Sequence, residues 1–180
     1  MQDTRVLVAG AGLAGCEAAW ALAEAGVPVR LLDCKPGKMS PAHRSSDFGE
    51  LVCSNSLKAA RLDSAAGLLK EEMRRLGSLC MAATADCAVP AGGALAVDRE
   101  RFAAGITARV RSHPLIQVEE GELTDLPAEG VAVIATGPLT LDALADRIRQ
   151  RCGGALSFFD AAAPIITAES VDMDHAFRAS

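Results

Sequence analysis

Apolar and polar positions over the first 33 residues predict three successive elements. Residues 5–9 are apolar after Arg5 and are followed by a glycine, which predicts a short buried strand. Residues 13–25 place alanine and leucine at helical spacing before a glycine, which predicts a helix and its end. Residues 27–33 are apolar and β-branched, which predicts a second strand. A strand, helix and strand within about 30 residues form a βαβ unit with parallel strands.

The pattern changes over residues 34–62, where proline, glycine, serine and asparagine replace regular periodicity. A loop of this length inside a compact domain is usually functional or disordered. After it, Asp63 or Ser64 is placed to cap a helix that runs to about residue 76. That helix carries an apolar stripe interrupted only by Glu72. The stripe consists of Leu68, Leu69, Met73 and Leu76.

Alternation of helices and strands resumes after a predicted turn at residues 90–93. Asp98 is expected to cap a helix to about residue 112, in which Phe102, Ile106 and Val110 recur every fourth position. Residues 116–120 predict a half-exposed strand, and residues 131–135 a buried one. A helix over 141–151 and a strand over 156–159 follow. The fold class predicted is α/β with a parallel sheet.

Composition and charge restrict the possible classes of protein. The chain has 180 residues, half of them apolar, which is enough for one folded domain with a sizeable core. Its net charge of −5 gives no general nucleic-acid signal. Residues 35–75, however, carry eight Lys or Arg against five Asp or Glu. This weakly basic segment either faces phosphates or is an ordinary solvated surface, and the second is the commoner case.

The cysteines and the apolar runs bear on metal sites and location. None of the six cysteines forms a C-x-x-C pair, so no zinc or redox motif is present and no metal is expected. The chain begins without a secretory signal, and no apolar run approaches the roughly 20 residues of a membrane span. These features predict a cytoplasmic protein with reduced thiols and no membrane association.

The turn after the first predicted strand fits the dinucleotide-binding pattern G-x-G-x-x-G. In this pattern the three glycines serve a tight turn, a close approach of backbone to pyrophosphate, and close packing of helix on strand. Asp33 ends the second strand 23 positions after the first glycine, where a carboxylate accepts ribose hydroxyls. The alternative is a glycine-rich turn in another α/β domain, which this context disfavours. The candidate residues are Gly10, Ala11, Gly12, Leu13, Ala14 and Gly15.

The predicted strand at residues 131–135 leads into Ala135-Thr136-Gly137. A hydrophobic strand ending in this tripeptide recurs near the FAD in flavoproteins with two dinucleotide-binding domains, and it favours flavin over nicotinamide. The alternative is an ordinary buried strand followed by a glycine turn.

Cys53 is the candidate nucleophile. It lies among Val52 and the polar run Ser54-Asn55-Ser56, with Lys58 nearby in sequence. Hydrogen-bond donors and positive charge favour a thiolate, which adds to electrophilic carbons such as C6 of a pyrimidine. The alternative is a buried structural cysteine, as expected for Cys16, Cys80 and Cys87, whereas Cys34 is expected to be incidental. His43 either binds phosphate or shuttles protons, or it is a solvated loop residue, which is commoner.

Several segments resemble the TrmFO family of folate- and FAD-dependent tRNA (uracil-5-)-methyltransferases. The segment around Cys53 and residues 89–95 are more specific to this family than the glycine fingerprint is. The segments that carry the resemblance are residues 10–20, 41–43, 50–57, 67–76, 89–99, 135–140 and 160–165.

The resemblance implies a Rossmann-type FAD-binding domain with a second, inserted domain, so residues 1–180 would be the N-terminal part of a longer flavoprotein. It also implies that a methylene group passes from 5,10-methylenetetrahydrofolate through the flavin to C5 of a uridine in the tRNA T-loop. NADH or NADPH is the implied reductant. The family's cysteine in this segment corresponds to Cys53 and is implied in catalysis, either at the flavin or as one of two thiols that handle the uracil adduct, the second of which would lie beyond Ser180. Asp33 stands where the family commonly has Glu.

Three alternatives compete with this interpretation. The MnmG (GidA) family, which modifies the wobble uridine of tRNA, shares the glycine fingerprint followed by Cys-Glu-Ala-Ala and a Val-Asp-Arg segment. It lacks the Leu-Val-Cys-Ser-Asn-Ser sequence found here at residues 51–56. The others are an FAD-binding module without activity and a small-molecule flavin oxidoreductase. The sequence gives no indication of oligomeric state.

Overall fold

The computed structural model describes residues 4–40, 42–153 and 167–176, called the described residues below. They contain a parallel sheet, a smaller antiparallel sheet, and helices packed against both. The elements in chain order are β1 (Val6–Ala9), α1 (Leu13–Glu24), β2 (Val29–Asp33), β3 (Ser56–Ala59), α2 (Ala65–Arg75), α3 (Leu79–Thr84), β4 (Ala88–Val89), β5 (Ala94–Val97), α4 (Arg99–Ser112), β6 (Ile116–Glu120), β7 (Ala132–Ile134), α5 (Asp142–Cys152) and a 3₁₀ turn at Ala168–Ser170.

The parallel sheet has the strand order β6-β2-β1-β7. In its register Val8 of β1 lies beside Leu31 of β2 on one side and Val133 of β7 on the other. If only the four strands of this sheet are counted, in chain order, their spatial order is 3-2-1-4, which is the arrangement of the Rossmann fold. The α/β class and the parallel sheet predicted from the sequence are therefore confirmed.

Strand β7 differs from its prediction in one respect. Residues 131–135 were expected to form a buried strand, but Val131 is 68% exposed and β7 is only half-buried. Among the described residues β7 pairs with β1 alone and so forms an edge of the sheet. An apolar run by itself does not distinguish a central strand from an edge strand. The strand predicted at residues 156–159 lies outside the described residues.

The helices pack the core where their periodicity predicts. Helix α4 begins at Asp98, whose carboxylate accepts a hydrogen bond from the Arg101 amide at 3.0 Å. Its Phe102, Ile106 and Val110 are fully buried. Helix α3 was not predicted because it has only six residues, too few for a periodicity to be recognised.

Helix α2 confirms one prediction and corrects another. Of the two expected caps, Ser64 is the one used, since its hydroxyl accepts a hydrogen bond from the Gly67 amide at 3.1 Å. The apolar stripe, however, faces outward: Leu69 is 56% exposed and Leu76 is 87% exposed. No element of the described residues buries this stripe, because α2 turns its small Gly67 toward the chain instead.

The antiparallel sheet has the strand order β3-β5-β4. Its presence shows that the prediction of a loop throughout residues 34–62 was wrong. Strand β3 lies in that segment and pairs Ser56 with Ala96, forty residues further along the chain. Its register shifts before Ala59. A short strand with a distant partner and a bulge leaves little alternation in the sequence, which explains why local patterning missed it.

Candidate functional site

A cavity of about 300 Å³ opens at the carboxyl ends of the parallel strands β1, β2 and β7. In open α/β sheets ligands bind at this end, where the strand order reverses. The chain leaves β1 toward β2 on one side and returns to β7 on the other, so the reversal lies at the cavity. The cavity is lined by most of the predicted cofactor-binding residues, namely Gly10, Gly12, Leu13, Ala14, Asp33, Ala135, Thr136 and Gly137.

Gly10 and Gly15 allow β1, α1 and β7 to approach one another. Gly10 has φ +98°, and a Cβ there would lie 2.5 Å from the Ala135 carbonyl oxygen. A Cβ on Gly15 would lie 1.7 Å from the Gly10 carbonyl oxygen. Neither position admits a side chain without moving backbone. The roles predicted for the first and third fingerprint glycines, a tight turn and close packing, match these contacts.

Gly12 differs from both, because a Cβ built on it would meet no atom within 4 Å. It lines the cavity and is the residue that precedes α1. No side chain caps α1, and its first turn contains no acidic residue. The amides at this end of the helix therefore lie beside open space, an arrangement that suits the negative charge of a pyrophosphate.

Asp33 is buried at the end of β2, and its carboxylate organises the fingerprint turn. One oxygen accepts a hydrogen bond from the Ala11 amide at 2.5 Å, and the other accepts one from the Lys35 amide at 2.8 Å. A carboxylate has about four acceptor positions, so two remain for ribose hydroxyls. The sequence predicted the ribose contact but not this second role in holding the turn. Ala11 itself lies behind the cavity wall.

Beyond β7, two threonines fix the turn at Thr136 and Gly137. The Thr140 hydroxyl donates to the Gly137 carbonyl at 2.8 Å. The hydroxyls of Thr136 and Thr140 are 2.6 Å apart, so Thr136 is the donor of that pair. The predicted segment Ala135–Gly137 is thus brought against the fingerprint, from which more than 100 residues separate it in sequence.

Residues of the loop after β2 line the cavity as well. Lys35 is buried, and its ammonium donates to the Asp47 carbonyl. The Glu50 carboxylate accepts hydrogen bonds from two loop amides, at 3.0 and 3.3 Å. His43 is half-buried, with Nδ1 2.6 Å from the Ser40 hydroxyl, so it is not the solvated loop residue that the commoner case suggests. Sequence reasoning missed Lys35 and Glu50, because only the folded loop brings them to the cavity.

Cys53 lies beside the cavity, with an exposed thiol. Its neighbour Val52 is part of the cavity wall, whereas Cys53 itself is not. The Arg99 guanidinium donates to the Cys53 carbonyl at 3.2 Å, and Asn55 exchanges two hydrogen bonds with Val97, at 3.0 and 3.1 Å. The start of α4 and the end of β5 therefore hold the cysteine segment in place.

The remaining cysteines comprise three packing residues, the exposed Cys152, and Cys34, which is half-buried and lines the cavity although the sequence suggested no role for it. Cys16, Cys80 and Cys87 are buried, as predicted, and all six cysteines are free thiols. Burial, with a smaller contribution from the Asp33 charge, raises the pKa of Cys16 to about 12. Burial and the nearby Glu17 carboxylate raise the pKa of Cys80 as well. Among the cysteines, only Cys53 and Cys152 are exposed.

No helix within residues 4–40, 42–153 and 167–176 combines the length and the apolar character needed to cross a membrane.

The strand order, the glycine turn and the cavity define the class of protein: a Rossmann-type dinucleotide-binding domain of the kind found in flavoproteins. Solved structures agree on the fold. Two crystal forms of Aquifex aeolicus GidA superpose with TM-scores of 0.59 and 0.60, at 18% and 17% identity. They cover 74% and 76% of this chain, which in turn covers 25% and 26% of theirs.

The family follows from the sequence match. Residues 5–180 match the family model described as glucose inhibited division protein A, and the chain belongs to that family. Curated relatives include the methylenetetrahydrofolate–tRNA-(uracil-5-)-methyltransferases TrmFO of Geobacter sulfurreducens, 59% identical over 175 residues, and of Desulfitobacterium hafniense, 58% identical over 176 residues. Each match covers 97% of this chain but 40% of the relative, so the chain spans about two fifths of the length of these relatives.

Proposed function

We propose that this chain is the FAD-binding part of an enzyme that methylates C5 of a uridine in the tRNA T-loop. The methylene group comes from 5,10-methylenetetrahydrofolate, and NADH or NADPH supplies the reducing equivalents. The observation that carries the proposal is the exposed Cys53, held beside a dinucleotide cavity in a segment that matches TrmFO relatives. Residues between Ala9 and Leu144 line this cavity, and we assign the inserted domain and a second thiol to the part of the relatives that this chain does not span.

The residues of the cavity fit FAD. Gly12 leaves space for a pyrophosphate at the uncapped end of α1, and Asp33 retains acceptor positions for ribose hydroxyls. Thr136 and Gly137 form the opposite wall. When bound, FAD supplies the carrier of the one-carbon unit and the redox chemistry.

Cys53 is assigned the nucleophilic role. As a thiolate, its sulfur would form a bond to C6 of the uracil, and the displaced electron pair would make C5 the nucleophile. The hydrogen bonds from Arg99 to the Cys53 carbonyl and between Asn55 and Val97 fix the backbone at the cysteine and just after it. The thiol is thereby positioned without being buried.

Transfer of label tests the proposal. Full-length protein is incubated with [methylene-¹⁴C]methylenetetrahydrofolate, NADPH and a tRNA transcript, and label at the T-loop uridine is measured. We expect Cys53→Ala to abolish transfer while flavin absorbance persists. The matched control is Cys152→Ala, which removes the other exposed thiol and should retain activity. Full activity of Cys53→Ala would show that this cysteine has no catalytic role.

A second candidate function is the wobble-uridine modification of the MnmG (GidA) relatives, favoured by the family model and by the superposition on GidA. Label at the wobble position with none in the T-loop would select it. Either RNA substrate, together with six free thiols, supports a cytoplasmic location as part of this proposal. Fractionation of cells with an antibody against the protein checks the location.

A further inference from the structure

Strand β3 contains an unusual backbone conformation at a charged residue. Lys58 has φ +66°, the one positive φ at a residue other than glycine among the described residues. Lysine rarely adopts this left-handed conformation, which is strained and persists only where the surroundings impose it. It coincides with the register shift between Ser56 and Ala59. Bulges of this kind redirect side chains, and here the redirected side chain is an exposed cation.

A second cation is fixed beside it. The Lys70 ammonium donates to the carbonyls of Leu57 and Ala66, both at 2.7 Å, which ties α2 to β3. The Leu57 carbonyl belongs to the peptide bond that leads into Lys58, so the Lys70 ammonium lies beside the backbone of Lys58. Partial burial lowers the pKa of Lys70, and the charge of Lys58 lowers it further. Of the three N–H donors of Lys70, two are used by these carbonyls and one remains.

No carboxylate neutralises this pair within the described ranges. Neither Lys58 nor Lys70 forms an ion pair there. Glu72 is exposed and forms none either, while Asp63 and Glu71 are paired elsewhere. Asp63 pairs with Arg61 at 3.3 Å, and Glu71 pairs with the two arginines that follow it on α2, at 2.7 and 2.8 Å. Two adjacent cations without an anion repel each other, and an external anion between them removes that repulsion.

We propose that Lys58 and Lys70 form a phosphate-contact site for the RNA strand whose uridine reaches Cys53. The inference rests on the proposed function and names where its substrate binds. Lys58 follows Cys53 by five residues, so their Cα atoms lie at most about 17 Å apart at 3.4 Å per residue. That span corresponds to a few nucleotides of an RNA strand. Phosphate contacts of this kind position the strand, and the reacting base is recognised elsewhere.

The phosphates of a dinucleotide are the other source of the same chemistry. Neither lysine lines the cavity at the carboxyl ends of the parallel strands, where the pyrophosphate is expected. Both lie at the antiparallel sheet and α2, next to the segment that holds Cys53. The location therefore favours RNA, and the test includes binding of NADPH at these lysines as the alternative outcome.

The test removes each charge without disturbing the fold. Lys58→Asn tolerates the left-handed backbone, since Asn populates it far more readily than Lys does. Lys70→Gln keeps an NH₂ group that can donate to the two carbonyls. Arg151→Gln is the matched control, because it removes one exposed charge from α5. Dissociation constants for a tRNA transcript are measured with full-length, FAD-loaded protein from 50 to 400 mM KCl, an about eightfold range that resolves the salt slope.

Each lysine variant should reduce the slope of log K against log salt by about 0.7, the value for one single-strand phosphate contact. At 0.1 M salt, one decade below a 1 M reference, a slope smaller by about 0.7 corresponds to binding that is about fivefold weaker. Lys58→Arg and the Arg151→Gln control should keep the wild-type slope, and KM for NADPH should not change.

Unchanged slopes in both lysine variants, with methylation by the wild type intact, would overturn the inference and leave the proposed function standing. If KM for NADPH increased while the salt slope of tRNA binding stayed unchanged, the site would be assigned to the reductant and the inference would also be overturned. Failure of the wild-type protein to bind or methylate tRNA would remove the proposed function itself, and the inference with it.

Discussion

Gly10→Ala should be among the more damaging single substitutions in this protein, and its cost follows from two features of the structure. The alanine would have to adopt φ +98°, outside the regions that L-residues favour, which costs about 1–2 kcal/mol. Its Cβ would lie 2.5 Å from the Ala135 carbonyl oxygen and 2.9 Å from the Thr136 Cα. Both contacts are backbone, and overpacking of this kind costs about 1–3 kcal/mol. The free energy of unfolding should fall by about 2–5 kcal/mol.

Gly12→Ala is the matched comparison. It makes the same chemical change two residues away, at φ −72° and with no atom within 4 Å of the new Cβ. Its cost to folding should stay within about 1 kcal/mol, the difference between glycine and alanine at a helix N-cap. The new methyl group nevertheless enters the space where a pyrophosphate approaches α1. We therefore expect Gly12→Ala to fold normally and to bind FAD poorly.

Both variants are measured by thermal unfolding after removal of flavin, so that lost cofactor binding does not add to the result. For a chain of this length 1 kcal/mol shifts Tm by about 2–4 °C, so Gly10→Ala should lower it by roughly 4–20 °C. Flavin affinity is then titrated by fluorescence quenching. A Tm for Gly10→Ala within 2 °C of wild type, which is less than about 1 kcal/mol, would refute the steric argument.

Two further predictions concern thiols and acid stability. Iodoacetamide at pH 8 should label the exposed Cys53 within minutes and spare Cys16, because burial raises the pKa of Cys16 to about 12. Mass spectrometry of native and urea-unfolded protein measures the labelling. Rapid labelling of Cys16 in the native protein would contradict the prediction. Hydrogen bonds from Arg74 and Arg75 lower the pKa of Glu71 from 4.5 to about 2. This lowered pKa stabilises the fold above pH 4.5, and the contribution is lost as pH falls toward 2. Glu71→Gln should therefore show a smaller decrease in urea midpoint between pH 5 and pH 2.5 than wild type, and parallel curves would exclude a role for these hydrogen bonds.

Local signals in the sequence were sufficient for elements whose determinants are close together along the chain. Asp98 and Ser64 cap helices as their positions predicted, and Phe102 is buried on the predicted face of α4. Hydrogen bonds at a cap join residues two or three apart, and a helical face repeats every three to four residues. The sequence alone therefore contains the information needed to place them.

Predictions failed where burial or pairing depends on distant residues. Leu69 and Leu76 form an apolar stripe that none of the described elements covers, and Val131 lies on an edge strand. Strand β3 exists because Ser56 pairs with Ala96. In each case the local pattern specifies how apolar a face is but not whether another part of the chain covers it.

The sequence by itself determined that a nucleotide-binding turn is present, because Gly15 and Asp33 act on residues of the same βαβ unit. It also marked Cys53 as a candidate thiol. Only the tertiary structure showed that Thr136 forms the opposite wall of the same cavity and that Cys53 is exposed beside it. It also brought the Lys70 ammonium against the Leu57 carbonyl, beside Lys58. These relations arise from the pairing of strands far apart in sequence, and spacing along the chain does not encode such pairing.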